Sequence, residues 1–99
     1  MASRRMTGTD PNNYMYYVYL LFLSNNRIYT GYTHDLKQRI SEHQHGKVIS
    51  TSKFLPLKLI HYESYLLKSD AQRRERFLKT TEGKRLLKLQ LRDILQLLK

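Results

Sequence analysis

The fold is decided by the stretch Tyr16-Tyr17-Val18-Tyr19-Leu20-Leu21-Phe22-Leu23-Ser24-Asn25-Asn26-Arg27-Ile28-Tyr29-Thr30-Gly31. Two runs of aromatic, aliphatic and β-branched residues flank a short Ser-Asn-Asn break, which is the pattern of a β-hairpin. The first run has no polar alternation. We therefore expect it to be a strand covered on both faces, at the centre of a sheet.

The length of the hairpin loop determines whether Tyr19 and Tyr29 share a face of the sheet. A two-residue turn at Asn25-Asn26 would place the two phenols on opposite faces. A three-residue loop, Ser24 to Asn26 with Asn26 left-handed, or a bulge with the same effect, would place them on one face. A site that uses both tyrosines requires the second arrangement.

Residues 36–45 have the pattern of a helix that ends at Gly46, with Thr33 or Asp35 as its cap. Arg39 and His43 are four residues apart, so they lie one turn above each other on a single face. That face adjoins the buried stripe of the helix, which places both side chains at the rim of the sheet.

The segment 47–56 is rich in lysines and hydroxyls, and either contacts phosphates or is a plain connection. A third strand is predicted from Leu57 to Glu63 or a little beyond, with Pro56 at its entrance. The expected fold class is α/β in the α+β sense, a small three-stranded antiparallel sheet flanked by helices.

A second helix, capped by Ser69 or Asp70, places Glu75 on its apolar stripe. An inward carboxylate requires a cation, a set of donors or a metal ion as its partner. The alternative to a functional role is a structural ion pair with one of the nearby arginines, namely Arg73, Arg74, Arg76 or Arg39.

The two ends of the chain differ in character. Residues 1–13 are polar and without periodicity, and are predicted to be a disordered leader. Residues 14–99 are predicted to form one domain that ends in a basic amphipathic helix over 84–99, packed on the sheet or on the preceding helix. We expect a monomer, with room for a weak dimer contact on the leucine face.

Composition limits the classes of function. The chain has 99 residues, no cysteine and a formal net charge of +10. The absence of cysteine excludes a disulfide framework and a thiolate zinc site, and no stretch resembles a membrane span or a secretion signal. We expect a cytoplasmic protein whose partner is nucleic acid rather than a membrane, with a merely solvated basic surface as the alternative.

Several of these features together resemble the GIY-YIG nuclease family. The two triplets that name the family correspond to Tyr17-Val18-Tyr19 and Tyr29-Thr30-Gly31. Tyr17 replaces the glycine of the first triplet, and Thr30 replaces the middle residue of the second. The order and spacing agree across residues 16–79, and the specific parts are Leu36-x-x-Arg39-x-x-x-His43 and Ala71-x-x-x-Glu75-x-x-x-Lys79. The leucine-rich basic tail is similar to that of small stand-alone members.

The resemblance implies a metal-dependent endonuclease that hydrolyses phosphodiester bonds in DNA. It implies weak sequence specificity or a structure preference, and a role such as DNA repair or recombination. The alternative is a non-catalytic DNA- or RNA-binding module that retains the fold. The implied catalytic residues are Tyr19, Tyr29, Arg39, His43 and Glu75.

Each implied role suits the residue type. Glu75 would hold Mg²⁺ or Mn²⁺ together with water and phosphate, and Arg39 would grip the scissile phosphate. Tyr19 would orient or deprotonate the water, His43 would accept the proton, and Tyr29 would hold the water or phosphate from the other side. We expect duplex or branched DNA, or else RNA, to contact Gly31, Lys47, Ser50, Lys53, Arg73 and Arg74.

Overall fold

The computed structural model describes residues 15–98, so the expected leader over residues 1–13 lies outside the described part of the chain. The elements follow in the order β1 (Tyr16–Phe22), β2 (Ile28–Thr33), α1 (Leu36–Gln44), β3 (Lys58–Tyr65), α2 (Lys68–Leu78), α3 (Thr81–Gln90) and α4 (Arg92–Leu98). None of the helices in residues 15–98 is long and apolar enough to cross a membrane.

The three strands form one antiparallel sheet in the order β2-β1-β3. The prediction of an α+β fold with a central first strand is therefore confirmed. Residues 17–21 of β1 are all buried, because both faces of this strand are covered by other elements. The third strand begins one residue later than predicted and continues to Tyr65.

The hairpin has the three-residue loop that a shared tyrosine face requires. The Leu23 amide donates to the Arg27 carbonyl at 2.9 Å, and Asn26 has a φ of 67°, the left-handed region that asparagine tolerates better than most residues. The resulting register pairs Tyr19 with Gly31 and Leu21 with Tyr29. The two phenols therefore lie on the same face, as predicted.

The sheet separates two small cores. On one face Val18 and Leu20 pack with Ala71, Leu78 and Leu87 of helices α2 and α3. On the other face Tyr19, Leu21 and Leu23 form a second cluster, against which Tyr29, Leu36, Ile40, Phe54, Leu57 and Leu59 pack. This second face carries the groups predicted for catalysis on β1, β2 and α1.

Two helix boundaries differ from the prediction. Helix α2 begins at Lys68 after Leu67, which makes no side-chain cap hydrogen bond, so a cap at Ser69 or Asp70 was wrong. Both residues instead lie in the first turn, where Asp70 accepts a hydrogen bond from Arg73 at 2.8 Å. An acidic group in this position is favoured by the helix dipole even though it is not the cap.

The predicted single helix over residues 84–99 was also wrong. Helix α3 already begins at Thr81, with the Thr80 side chain accepting from the Gly83 amide, and it ends at Leu91. Helix α4 follows at once. Leu91 packs against the core, so tertiary packing at this residue outweighs the local preference for a continuous helix.

A half-buried carboxylate on the edge strand β3 fastens helix α2 to the sheet. Glu63 accepts from Arg74 Nε at 2.9 Å and from Arg74 Nη2 at 3.1 Å. The Tyr65 hydroxyl donates to it at 2.6 Å, and His61 lies 3.1 Å away. Burial raises the pKa of Glu63, but these hydrogen bonds, led by that from Arg74, outweigh it and lower the pKa to about 2.

This cluster predicts a loss of stability in acid. Because the folded pKa of Glu63 lies below its ordinary value, the carboxylate stabilises the fold above about pH 4.5, and this contribution disappears as the pH falls towards 2. We expect Glu63→Gln to cost about 2 kcal/mol at pH 7, after allowance for solvent screening, and much less at pH 2.5. Urea denaturation at the two pH values measures the difference.

The matched control is Glu82→Gln, which removes an exposed carboxylate paired with Arg85. It should change the free energy of unfolding by less than about 0.5 kcal/mol at either pH. A cost for Glu63→Gln that is the same at pH 7 and pH 2.5 would contradict the assignment of the acid-sensitive contribution to Glu63.

Candidate active site

The site is built around a hydrogen bond between the central strand and helix α1. The Tyr19 hydroxyl lies 2.8 Å from His43 Nε2. Tyr19 is 1 % exposed and His43 is fully buried, so water does not compete for this contact. The predicted position of His43 at the rim of the sheet therefore differs from its full burial in the structure, where it faces Tyr19.

The other ring nitrogen of His43 contacts Thr51, a residue that the sequence analysis did not single out. Thr51 Oγ1 lies 2.7 Å from His43 Nδ1, and Thr51 is itself fully buried. Its hydroxyl also lies 3.5 Å from the Val48 carbonyl. The sequence indicates only that segment 47–56 contacts phosphates or is a plain connection. No spacing in the sequence links Thr51 to His43.

Burial keeps both members of the Tyr19 and His43 pair uncharged near neutral pH. Burial raises the pKa of Tyr19 to about 12, although a hydrogen bond from Arg39 acts in the opposite direction. Burial, together with the charge of Arg39, lowers the pKa of His43 to about 4. Both shifts disfavour the charged form of each group, so we expect a proton to leave Tyr19 only as another arrives.

Tyr29 completes the aromatic wall of the site. Its ring centroid lies 6.3 Å from that of Tyr19 and 5.2 Å from that of His43. The His43 ring is inclined at 62° to the Tyr29 ring, an edge-to-face contact of the kind that stabilises aromatic clusters. Tyr29 is half-buried, at the boundary between this cluster and solvent.

Arg39 lies at the mouth of the site. Its guanidinium interacts with the Tyr19 hydroxyl and donates to Glu42 Oε1 at 2.9 Å. The Arg39 side chain is 38 % exposed, so it is accessible to a ligand. Glu42, one helical turn from Arg39, was not anticipated as its partner.

Glu75 lies within electrostatic reach of the aromatic groups. Its negative charge contributes to the raised pKa values of Tyr19 and Tyr32. The Glu75 carboxylate accepts from Lys79 Nζ at 2.9 Å and its side chain is 21 % exposed. The expected alternative of an arginine partner was wrong: the ion pair is with Lys79, one turn along the same helix.

The described residues offer a single carboxylate to a metal ion at this site. No group of three or more His, Cys, Asp or Glu side chains suited to a metal exists within residues 15–98. One half-buried carboxylate suits a hard ion such as Mg²⁺, which retains several waters and takes further ligands from phosphate. Glu75 therefore fits such an ion, whereas the described residues supply no closed protein cage.

The absence of a side chain at Gly31 leaves room for the ring of Tyr19, its partner across the strands. A Cβ atom at this position would overlap Cζ and the hydroxyl oxygen of the Tyr19 ring. The close approach that the sequence indicated is therefore made by Tyr19, which lies over the Gly31 backbone and points towards His43. Gly31 itself is buried.

The other predicted nucleic-acid contacts fall into two groups. Lys47, Ser50 and Lys53 are exposed on the segment that carries Thr51. On helix α2, Arg73 is paired with Asp70 at 2.8 Å, and Arg74 is held by Glu63. The structure thus brings the lysine-rich segment to His43, while the Arg74 guanidinium is used within the fold.

Comparison with known proteins identifies the family of this chain. A family profile described as the GIY-YIG catalytic domain matches residues 15–88. The chain belongs to the GIY-YIG family. This family description points to a nuclease-type hydrolase, and the matched range contains every residue placed in the site above.

Individual relatives of this GIY-YIG protein carry names without an assigned activity. A UPF0213 protein of Pediococcus acidilactici is 37% identical over 81 residues, covering 79% of this chain and 83% of the relative. A UPF0213 protein of Halobacterium salinarum is 42% identical over 62 residues, covering 62% and 80%. The solution NMR structure of a UPF0213 protein from Bacillus halodurans is 33% identical, covers 74% and 81%, and has a TM-score of 0.49.

Proposed function

We propose that this GIY-YIG protein is a divalent-metal-dependent endonuclease that hydrolyses phosphodiester bonds in DNA. The observation that carries the proposal is the buried contact of 2.8 Å between the Tyr19 hydroxyl and His43 Nε2. It couples the phenol next to the exposed Arg39 guanidinium to an imidazole that can receive a proton. This pair differs from the structural Glu63 cluster because it lies beside the exposed Arg39 guanidinium, and titratable groups with shifted pKa values at such places are typical of functional sites.

The attacking water loses its proton through this pair. As the water oxygen bonds to phosphorus, its proton passes to the Tyr19 oxygen while the Tyr19 proton passes to His43 Nε2. The concerted transfer avoids a free phenolate, which the raised pKa of Tyr19 makes unfavourable. The imidazolium can return its proton to solvent or to the departing oxygen after the ester bond breaks.

Arg39 and Glu75 serve the phosphate. The Arg39 guanidinium exchanges its bond to Glu42 for a bidentate contact with the phosphoryl oxygens. Glu75, which is paired with Lys79, would hold Mg²⁺ or Mn²⁺, and such an ion would supply stabilisation of negative charge on the phosphate and the leaving oxygen. Tyr29, packed on both Tyr19 and His43, limits where the water can lie.

The DNA partner follows from charge and size. Lys47 and Lys53 are exposed on the segment that carries Thr51, and the whole chain carries a net charge of +10, which favours binding along a phosphate backbone. A domain of this size leaves little surface for reading bases, so we expect weak sequence preference, or a preference for branched substrates. We expect a monomer to act, with any dimer contact on the exposed leucines of α3 and α4 remaining weak.

A second candidate is a nucleic-acid-binding module without catalysis, on DNA or RNA. It is favoured by the internal ion pairs of Arg39 with Glu42 and of Glu75 with Lys79, both at 2.9 Å. If these pairs persist when nucleic acid binds, neither a phosphate clamp nor a metal ligand is available. The two candidates differ in whether bound nucleic acid is cut.

The test is cleavage of end-labelled duplex, single-stranded and branched DNA, and of matched RNA, with Mg²⁺, with Mn²⁺ or with EDTA. The proposed function predicts products only with a metal ion and only from DNA. Binding of all substrates without cleavage in any condition would support the second candidate and overturn the first. Equal cleavage in EDTA would contradict the role given to the metal ion.

A further inference from the structure

The role of His43 depends on which of its ring nitrogens carries the proton. A neutral imidazole has one N–H donor and one acceptor nitrogen, and burial keeps His43 neutral near pH 7. Nδ1 faces Thr51 Oγ1 at 2.7 Å and Nε2 faces the Tyr19 hydroxyl at 2.8 Å. Only the form with its proton on Nδ1 can accept the Tyr19 proton at Nε2.

The Val48 carbonyl distinguishes the two directions of this chain of hydrogen bonds. Its oxygen lies 3.5 Å from Thr51 Oγ1 and 3.1 Å from the Thr51 amide, and it can only accept. If the Thr51 hydroxyl donates to Val48, its lone pairs face His43, and Nδ1 must donate to them. Thr51 is fully buried, so no solvent molecule replaces either partner.

We propose that Thr51 is a positioning residue, which accepts the His43 Nδ1 proton, donates its own proton to the Val48 carbonyl, and so presents an unprotonated Nε2 to Tyr19. The chain then runs in one direction, from the Tyr19 hydroxyl through the imidazole and the Thr51 hydroxyl to the Val48 carbonyl. Hydrogen bonds of this kind to the second nitrogen are a general way of fixing a histidine tautomer.

The reverse direction would give His43 a different role. If the Thr51 hydroxyl donated to Nδ1, the imidazole proton would lie on Nε2 and would be donated to the Tyr19 oxygen. His43 could then stabilise a phenolate but could not receive a proton at Nε2. The direction of the hydrogen bond between Thr51 and His43 therefore determines whether Nε2 of His43 acts as a base or as a hydrogen-bond donor.

The tautomer is measured by ¹H–¹⁵N long-range correlation NMR on histidine-labelled protein at pH 7, without nucleic acid. We expect His43 to carry its proton on Nδ1 in the native protein and in Thr51→Ser, which retains the hydroxyl. In Thr51→Val, Nδ1 faces a methyl group, and we expect the proton to move to Nε2. The control Ser52→Ala removes the neighbouring hydroxyl, which bonds the Ile49 carbonyl at 3.2 Å, and should leave the tautomer unchanged.

The kinetic arm rests on the proposed nuclease function. We expect Thr51→Val to lower kcat by about 10- to 100-fold, the range seen when an orienting partner of a functional histidine is removed, with DNA affinity unchanged. Thr51→Ser should restore most of the rate. Loss of DNA affinity with kcat retained would contradict the positioning role.

The NMR and kinetic experiments distinguish failure of this inference from failure of the nuclease proposal. An Nε2-protonated His43 in the native protein overturns the role of Thr51 whether or not DNA is cut, and needs no variant to fold. An unchanged tautomer in Thr51→Val overturns it as well. The expected tautomers together with no cleavage by any protein would overturn the nuclease while supporting the orientation of His43 by Thr51.

Discussion

Glu75→Gln is expected to lower metal-dependent DNA cleavage by about 1,000-fold or more, equivalent to about 4 kcal/mol of transition-state stabilisation. The substitution keeps the size of the side chain and removes the charge that a hard divalent ion requires. It also removes the ion pair with Lys79, which is exposed and contributes little to stability. The folded protein should therefore persist while the activity is lost.

The matched control for this variant is Glu82→Gln, which also breaks a carboxylate pair on a helix, here with Arg85 at 2.7 Å. It should cleave at the native rate. Single-turnover assays at saturating protein, over a range of Mg²⁺ concentrations, separate weakened metal binding from a slower chemical step. Cleavage by Glu75→Gln at the native rate would contradict the assignment of the metal ion to Glu75.

Gly83→Ala is expected to destabilise the fold by about 3 kcal/mol or more, at the upper end of the cost of overpacking. Helix propensity alone predicts the opposite sign, since alanine is favoured over glycine inside a helix by about 1 kcal/mol. A Cβ at Gly83 would overlap the Phe77 carbonyl oxygen and lie 2.9 Å from Leu78 Cα. These are backbone atoms at the tight connection between α2 and α3.

The Phe77 carbonyl cannot easily move away from a methyl group at position 83. It accepts from the Thr80 amide at 3.0 Å and from the Thr80 hydroxyl at 2.6 Å, and the same hydroxyl caps α3 by accepting from the Gly83 amide. Displacing it would break its two bonds from Thr80 and disturb the hydroxyl that caps α3. In a domain of this size the expected loss lowers Tm by roughly 12–24 °C.

Thermal and urea denaturation measure this effect, with Lys84→Ala as the control. Lys84 is the next residue on α3 and is exposed, so its substitution should change the stability by less than about 0.5 kcal/mol. A Gly83→Ala variant as stable as the native protein, or more so, would mean that helix propensity and not the packing of α2 on α3 governs this position.

The hairpin was predictable because its geometry depends on local chemistry. Asn26 tolerates left-handed backbone angles, and the three-residue loop that it permits fixes the parity that turns Tyr19 and Tyr29 to one face. The helical spacing of Arg39 and His43 is equally local. The three elements concerned, β1, β2 and α1, supply most of the aromatic part of the candidate site.

The groups that sequence reasoning missed are positioned by tertiary packing. Thr51 reaches His43 only because the segment after α1 folds back on that helix. The break at Leu91 likewise reflects packing of that side chain on the core. No local pattern encodes such contacts, so a single sequence could not supply them. The pair of Arg39 with Glu42 is the exception, since the two residues are three apart on one helix and their contact follows from helical spacing.

The most direct test of the account is the cleavage rate of Tyr19→Phe under single-turnover conditions with Mg²⁺, with Tyr62→Phe as the control. Tyr62 is the cross-strand neighbour of Tyr19 and is 52 % exposed, and within residues 15–98 its hydroxyl makes no hydrogen bond to Tyr19 or His43. The account predicts that Tyr19→Phe binds DNA as the native protein does but cleaves it at least about 100-fold more slowly. Native cleavage by Tyr19→Phe would show that the Tyr19 and His43 pair does not deprotonate the water, and would contradict the central claim.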